Sequence, residues 1–293
     1  MRAGSTQTPV GEQVLDAVTY LCNNYNDAID LTCNSPDDSD TQLNNTYYIY
    51  SDNYLASLVL WKYGQSTLDS DLTGKAVNIT NAIENQTDKI NPINQYMVLT
   101  MAHTVNESVF NASKNFILNT TDDGAIIKTT QNNQSGNLSQ SHYTDIAFLK
   151  AIYYHELGRD NDAIIAYNDG FDDAVYLTVG MGFKDDAFNG NYETYKVALY
   201  ILASNWLGLD YDLQALETLR KMQNLVNGGF VAYYDSDLNH VGSTNAETTS
   251  LAVLSLIPLP LEPIPEFGMM PLVVMSLLVT IVIAGEARRR KAS

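Results

Sequence analysis

The feature that most restricts how this chain can fold is a recurring unit: an acidic residue followed directly by an apolar stretch of helical length. Four copies are plain: DNYLASLVLWKYG from Asp52, DIAFLKAIYYHELG from Asp145, ETYKVALYILASNWLG from Glu193 and ETTSLAVLSL from Glu247. NQYMVLTMAHTV from Asn94 fits the gap as a degenerate fifth copy, and a further helix is predicted over 12–25. Successive starts lie 42, 51, 48 and 54 residues apart. Gly64, Gly158 and Gly208 end three of the copies, as left-handed helix caps do. Between the copies run more polar helices such as YDLQALETLRKMQN, where leucines alternate with Glu217, Arg220, Lys221 and Gln223. The Glu193 segment is instead apolar on most sides, which predicts alternating inner and outer helices. Turns with a Gly-aromatic or Gly-aliphatic step (Gly124-Ala125-Ile126, Gly182-Phe183, Gly228-Gly229-Phe230) are expected to lead into the inner ones.

Repeated hairpins of this size predict an all-α chain: an α/α toroid of five to six helical hairpins plus one C-terminal transmembrane helix, with an open α-solenoid as the alternative. The stretch QNLVNGGFVAYYDSD, taken with ETTSLAVLSL, resembles repeats of terpenoid-cyclase-like toroids. Complement-type thioester domains share that architecture, and Gly11-Glu12-Gln13 is similar to part of their motif. Val10 stands where their cysteine belongs, which excludes thioester chemistry. Protein prenyltransferases need a zinc-binding cysteine, and no cysteine follows Cys33.

The C-terminus supplies a second constraint. From Gly268 to Ala284 the chain carries no charge over 17 residues, and Arg288, Arg289, Arg290 and Lys291 follow. At about 1.5 Å per residue such a helix nearly matches a hydrocarbon core, and the basic end stays cytoplasmic by the positive-inside rule. Four of the eight prolines (Pro258, Pro260, Pro263, Pro265) precede it as a stiff stalk. The expected organisation is an ectodomain over 1–256, a stalk over 257–267, a membrane helix over 268–285 and a cytoplasmic tail over 286–293. Pro265, Glu266, Phe267 and Gly268, then an apolar span, then arginines resemble the PEFG-type sorting signal of archaeal cell-surface proteins. The resemblance implies processing by an archaeosortase-type enzyme and transfer to a lipid, and it covers only the last thirty or so residues. Met1 to Thr6 contain no apolar signal-peptide core, so a truncated start is expected.

Without residues 286–293 the chain keeps 12 Lys and Arg against 33 Asp and Glu. A surface this acidic repels phosphate backbones, so nucleic acid is excluded as a partner. An extracytoplasmic location predicts a disulfide between Cys22 and Cys33. It also fits the glycosylation sequons at Asn44, Asn78, Asn85, Asn106, Asn111, Asn119, Asn133 and Asn137, which are confined to residues 44–139.

In a ring of hairpins the inner-helix N-termini share one end of the central cavity. The candidate catalytic residues are therefore Asp52, Asp145, Glu193 and Glu247, with Tyr54, His142, Tyr143, Tyr192, Tyr195 and Asn245 as candidate ligand contacts. Paired carboxyls with aromatic platforms are the apparatus of sugar chemistry. The competing explanation is scaffold: acids suit the first turn of any helix, and Thr244-x-x-Glu247 reads as a capping box. No metal centre is expected. His155-Glu156 lacks the second histidine of a zincin, with Arg159 in its place. Asp235-Ser236-Asp237-Leu238-Asn239 opens like a calcium loop but has His240 and Ala246 where that loop needs Gly and Glu, leaving Ca2+ only as a weak candidate cofactor. Two functional readings remain: a non-catalytic surface module binding glycans or a partner, and a carbohydrate-active hydrolase, lyase or epimerase.

Overall fold

The computed structural model describes residues 10–35, 47–87, 94–110, 113–120, 126–132 and 142–257. Helix α1 (Val10–Asn23) leads into the hairpin β1 (Tyr25–Asn26) and β2 (Leu31–Thr32). β3 (Tyr47–Ile49) runs straight into α2 (Tyr50–Thr67), which is followed by α3 (Ser70–Thr87). A 3-10 turn over Gln95–Met97 precedes the single-turn α4 (Val98–Met101) and the hairpin β4 (Ser113–Thr120) and β5 (Ile126–Asn132). The second half holds α5 (Thr144–Glu156), α6 (Asp160–Phe171), β6 (Ala174–Tyr176), β7 (Met181–Phe183), β8 (Tyr192–Glu193) and α7 (Thr194–Leu207). It ends with α8 (Leu213–Lys221), β9 (Val231–Tyr234), β10 (His240–Thr244) and α9 (Ala246–Leu256).

The all-α toroid expected from the sequence is therefore corrected. The described residues form ten strands in four small sheets: β1 with β2, β6 with β7, β3–β5–β4, and β10–β9–β8. All pairings are antiparallel except β3 with β5. Segments read as Gly-aromatic turns lie in or beside these strands: Gly182-Phe183 belongs to β7, Ile126 opens β5, and Phe230 precedes β9. Most of the strands are too short to show a two-residue alternation; all three residues of β7 are buried. Gly182 answers a packing demand, since a Cβ there would lie 2.4 Å from the Tyr192 ring.

The four acid-led segments do become helices α2, α5, α7 and α9. Their burial follows from composition: α7 is buried at every residue from 196 to 204, and α9 at every residue from 248 to 255. A helix that is apolar all round must be enclosed. Accordingly α7 packs on both α5 and α9, α9 packs on α2, and α3, α6, α8 and α1 cover α2, α5, α7 and α9 respectively. Tyr200 on α7 knits this layer to its neighbours, with Phe148, Phe171 and Phe183 at ring-centroid distances of 5.6, 5.5 and 5.7 Å.

Other expectations change in detail. The copy at Asn94 yields only 3-10 turns and one turn of α-helix. Gly208 is a left-handed cap as expected, with φ of 67°. Gly64 is not a cap, because α2 continues to Thr67 and ends at Leu68 in the left-handed region. A Cβ at Gly64 would lie 2.9 Å from side-chain atoms of Leu72 and Thr73, so this glycine serves the approach of α3. The expected membrane helix over 268–285 lies outside the described residues, as do Pro265 to Gly268, nearly all of the stalk, and Asn44, Asn111, Asn133 and Asn137. Among the described residues no helix is long and apolar enough to cross a membrane. Asn78 and Asn106 are exposed, and the structure forms no disulfide between the half-buried Cys22 and the buried Cys33.

Gly228 has φ of +83°, and a Cβ there would meet the Asp16 carbonyl oxygen at 2.4 Å. Gly228→Ala should therefore lower stability by about 1–3 kcal/mol through strain and collision, read as a fall in melting temperature.

Candidate functional site

The four inner helices bring their acids to one place. Asp52, in the first turn of α2, is 2% exposed; it accepts hydrogen bonds from the Asn34 side-chain amide and, at 3.1 Å, from the Ser51 hydroxyl. The neighbouring Asn53 fixes this end of α2, its amide accepting from the Thr32 N–H at 2.6 Å and donating to the Thr32 carbonyl at 3.0 Å. The same 32–35 segment clasps the start of α9: the Ala246 N–H donates to the Asn34 carbonyl at 2.8 Å, and the Ser35 hydroxyl to the Thr244 carbonyl at 3.0 Å. Asp52 and Glu247 are thereby brought within electrostatic reach.

Glu247 is not a helix cap. Asn245 takes that role, its side-chain oxygen accepting from the Thr248 N–H at 2.7 Å. The capping box expected from Thr244 is not formed, because the N-cap is Asn245, one residue later; the Thr244 hydroxyl accepts from the Asn227 amide. Glu247 is free to receive the Tyr96 hydroxyl at 2.7 Å on Oε1. Burial, joined by the charges of Asp52 and Glu193 and opposed by the Tyr96 hydrogen bond, pushes it from an ordinary 4.5 up to about 8. Burial likewise lifts Asp52 to about 6, against the hydrogen bonds of Asn34 and Ser51.

On the opposite side stands the one buried cation of the group. Lys196, 1% exposed, pairs through Nζ with Asp185 at 2.7 and 2.8 Å and with Glu193. Asp185 also accepts from the N–H groups of Thr144 at 2.9 Å and Ala187 at 3.0 Å, which ties α7 to the N-terminus of α5. Burial raises Asp185, but Lys196 and these N–H donors outweigh it and hold the carboxyl below its usual range. Burial depresses Lys196, and its two carboxylates outweigh that to raise it. Burial lifts Asp145, in the first turn of α5, to about 6; Lys196 restrains the rise while Asp185 and Glu193 add to it. Glu193 occupies the N-cap position of α7 but makes no side-chain cap bond.

Aromatic rings complete the group. Burial holds the Tyr195 hydroxyl well above its usual value, and Asp145, Glu193, Glu247 and Asp185 all add to the effect. Tyr233 on β9 feels burial, then Glu193 and Glu247. Tyr54 bonds to the Thr100 hydroxyl.

The remaining candidates stand apart or serve the scaffold. His142 is exposed and pairs with Asp173 at 2.8 Å. Tyr192 is buried and stacks on Tyr234 at 5.6 Å. Tyr143 is the N-cap position of α5 and makes no side-chain cap bond. Sequence reasoning missed Lys196, Asp185, Tyr96 and Tyr233. Lys196 was legible as a lone charge on an apolar helix, three residues after Glu193, whereas nothing in the sequence pairs Asp185 with it.

Among the described residues no group of three or more His, Cys, Asp or Glu is arranged to hold a metal ion. The calcium-like loop is the β9–β10 turn, where Asp235 accepts from the N–H groups of Asp237 and Asn239 at 2.9 Å. The chain matches no protein-family model, no curated protein and no solved structure.

A carboxyl whose pKa is higher folded than unfolded stabilises the fold at low pH, and that stabilisation is lost as pH rises through the folded value. For Asp52, Asp145 and Glu247 the window runs from about 4 to about 8. Melting temperature should therefore fall from pH 5 to pH 8.5, and Glu247→Gln should flatten the upper part of that fall. Asp185 acts oppositely, its contribution disappearing only below the ordinary carboxylate range.

Proposed function

We propose that this chain is a membrane-anchored cell-surface protein whose ectodomain acts on glycans by acid–base chemistry. The observation that carries the activity is the unlike surroundings of two carboxyls that feel one another's charge. Glu247 is pushed toward holding a proton at neutral pH, while Glu193 is ion-paired with Lys196. Environments that separate two carboxyls in this way mark the acid and the base of a site. With Oε1 occupied by Tyr96, Oε2 of Glu247 is the oxygen to donate a proton to a leaving glycosidic oxygen. Asp52 is too enclosed for contact with a ligand and acts as a charge that keeps Glu247 protonated. Glu193, 18% exposed at the side chain, is the carboxylate able to meet water or substrate.

The substrate is a neutral sugar chain. Carboxylated sugars would meet several acids and a single, already paired lysine. Neither arginine of the ectodomain past Arg2 serves them, since Arg159 pairs with Asp162 and Arg220 with Gln13. Tyr195 and Tyr233 are the stacking surfaces. Location rests on the sequence alone: residues 268–284 as the span, Arg288 to Lys291 as its cytoplasmic flank, and Pro265 to Gly268 as a sorting motif of the archaeal PEFG type.

The full chain, incubated with a panel of neutral polysaccharides and surface glycans, should release reducing ends or altered sugars. Glu247→Gln should cut that rate by about 10²–10⁴-fold, and Glu193→Gln should do likewise. Equal rates in wild type and Glu247→Gln, or no turnover anywhere on the panel, would reject the catalytic reading in favour of a glycan- or partner-binding module.

A further inference from the structure

A site with two jobs for two carboxyls needs something that makes them different, and here only one side of the group is served by a cation. The Lys196 ammonium is held in place by Asp185, whose carboxyl is fully enclosed and fixed by the Thr144 and Ala187 N–H groups as well. A third contact of the same ammonium goes to Glu193. On the far side Glu247 receives a neutral hydroxyl, from Tyr96. Resting on the acid–base reading above, we propose that Lys196 is a positioning residue: by taking Glu193 as its ion-pair partner, it makes that carboxyl the proton acceptor and leaves Glu247 the proton donor.

The groups around the pair agree with this division. Glu247 faces Asp52 from α2, Tyr96 from the turn before α4, and Glu193 from the start of α7. None of these brings a positive charge. Glu193 faces Lys196 on its own helix, with Asp145 of α5 and Tyr195 and Tyr233 also in reach. His142 is engaged by Asp173 at 2.8 Å, away from both glutamates. Two acids that feel one another's charge cannot both shed their protons cheaply, so whichever one lacks the cation keeps its proton. The i to i+3 spacing of Glu193 and Lys196 on one helix makes the choice a built-in property of α7.

The test is a pH titration of glutamate side-chain carboxyl carbons by NMR, on the full chain labelled at those carbons and held in detergent. Glu247→Gln identifies the Glu247 signal and Glu193→Gln the Glu193 signal. In wild type the Glu247 signal should titrate near pH 8. In Lys196→Met combined with Asp185→Asn, a charge-neutral change, the Glu247 midpoint should drop by about one unit. Lys196→Arg should restore the wild-type order. A merely structural lysine would leave the Glu247 midpoint where it was, and that result overturns the assignment.

Should the double variant not fold, Glu193→Gln decides alone. Removing a charged Glu193 lowers the Glu247 midpoint, whereas an unmoved midpoint shows that Glu193 carried no charge and defeats the proposal. The titration needs no substrate. A correct proton assignment in a chain without turnover therefore sinks the enzyme reading only, and turnover with unmoved midpoints sinks only the role of Lys196.

Discussion

The arrangement depends on one constraint: α7 is apolar around its whole circumference and must be enclosed, yet it carries a lysine. Enclosure is met by α5, α9 and α8 packing around it. The lysine is tolerated because Asp185 and Glu193 accompany it into the interior. Breaking such a pair from one side costs about 3–5 kcal/mol, so the pair links α7 to α5 as firmly as any apolar contact does. Once α5, α7, α9 and α2 lie side by side, the acids at their starts have nowhere to go but toward one another.

How far this was legible in the sequence differs from element to element. Helices α2, α5, α7 and α9 were readable because each is a long apolar run with an acid at its head, and length separates such runs from strands. The sheets were not readable. β1, β2 and β8 are two residues long, and β3, β6 and β7 are three, too few for any periodicity to register. β8, β10 and β3 lead into α7, α9 and α2, and the steps read as Gly-aromatic or Gly-aliphatic turns lie in or beside β5, β7 and β9. α4 shows the opposite error: a sequence with the right composition stops after one turn.

For the site, the sequence located the four acids at helix starts but left their purpose open, because a helix dipole explains an acid there equally well. Three-dimensional placement separates the two explanations at Glu247, where Asn245 already does the capping, and at Asp52, whose partners are side chains of Asn34 and Ser51. Tyr96 reaches Glu247 from 151 positions away in the chain, a pairing that no local pattern encodes.

That Asn245 rather than Glu247 caps α9 has a consequence for how this surface can change over time. Where one side chain both caps a helix and does the chemistry, altering the chemistry weakens the fold, and the position is frozen. At α9 the cap is Asn245, and Glu247 two residues on has no capping duty. Glu247 is thus a fitting on a frame that other side chains hold together, free to change without first solving a folding problem, whereas Glu193, paired with the buried Lys196, is not.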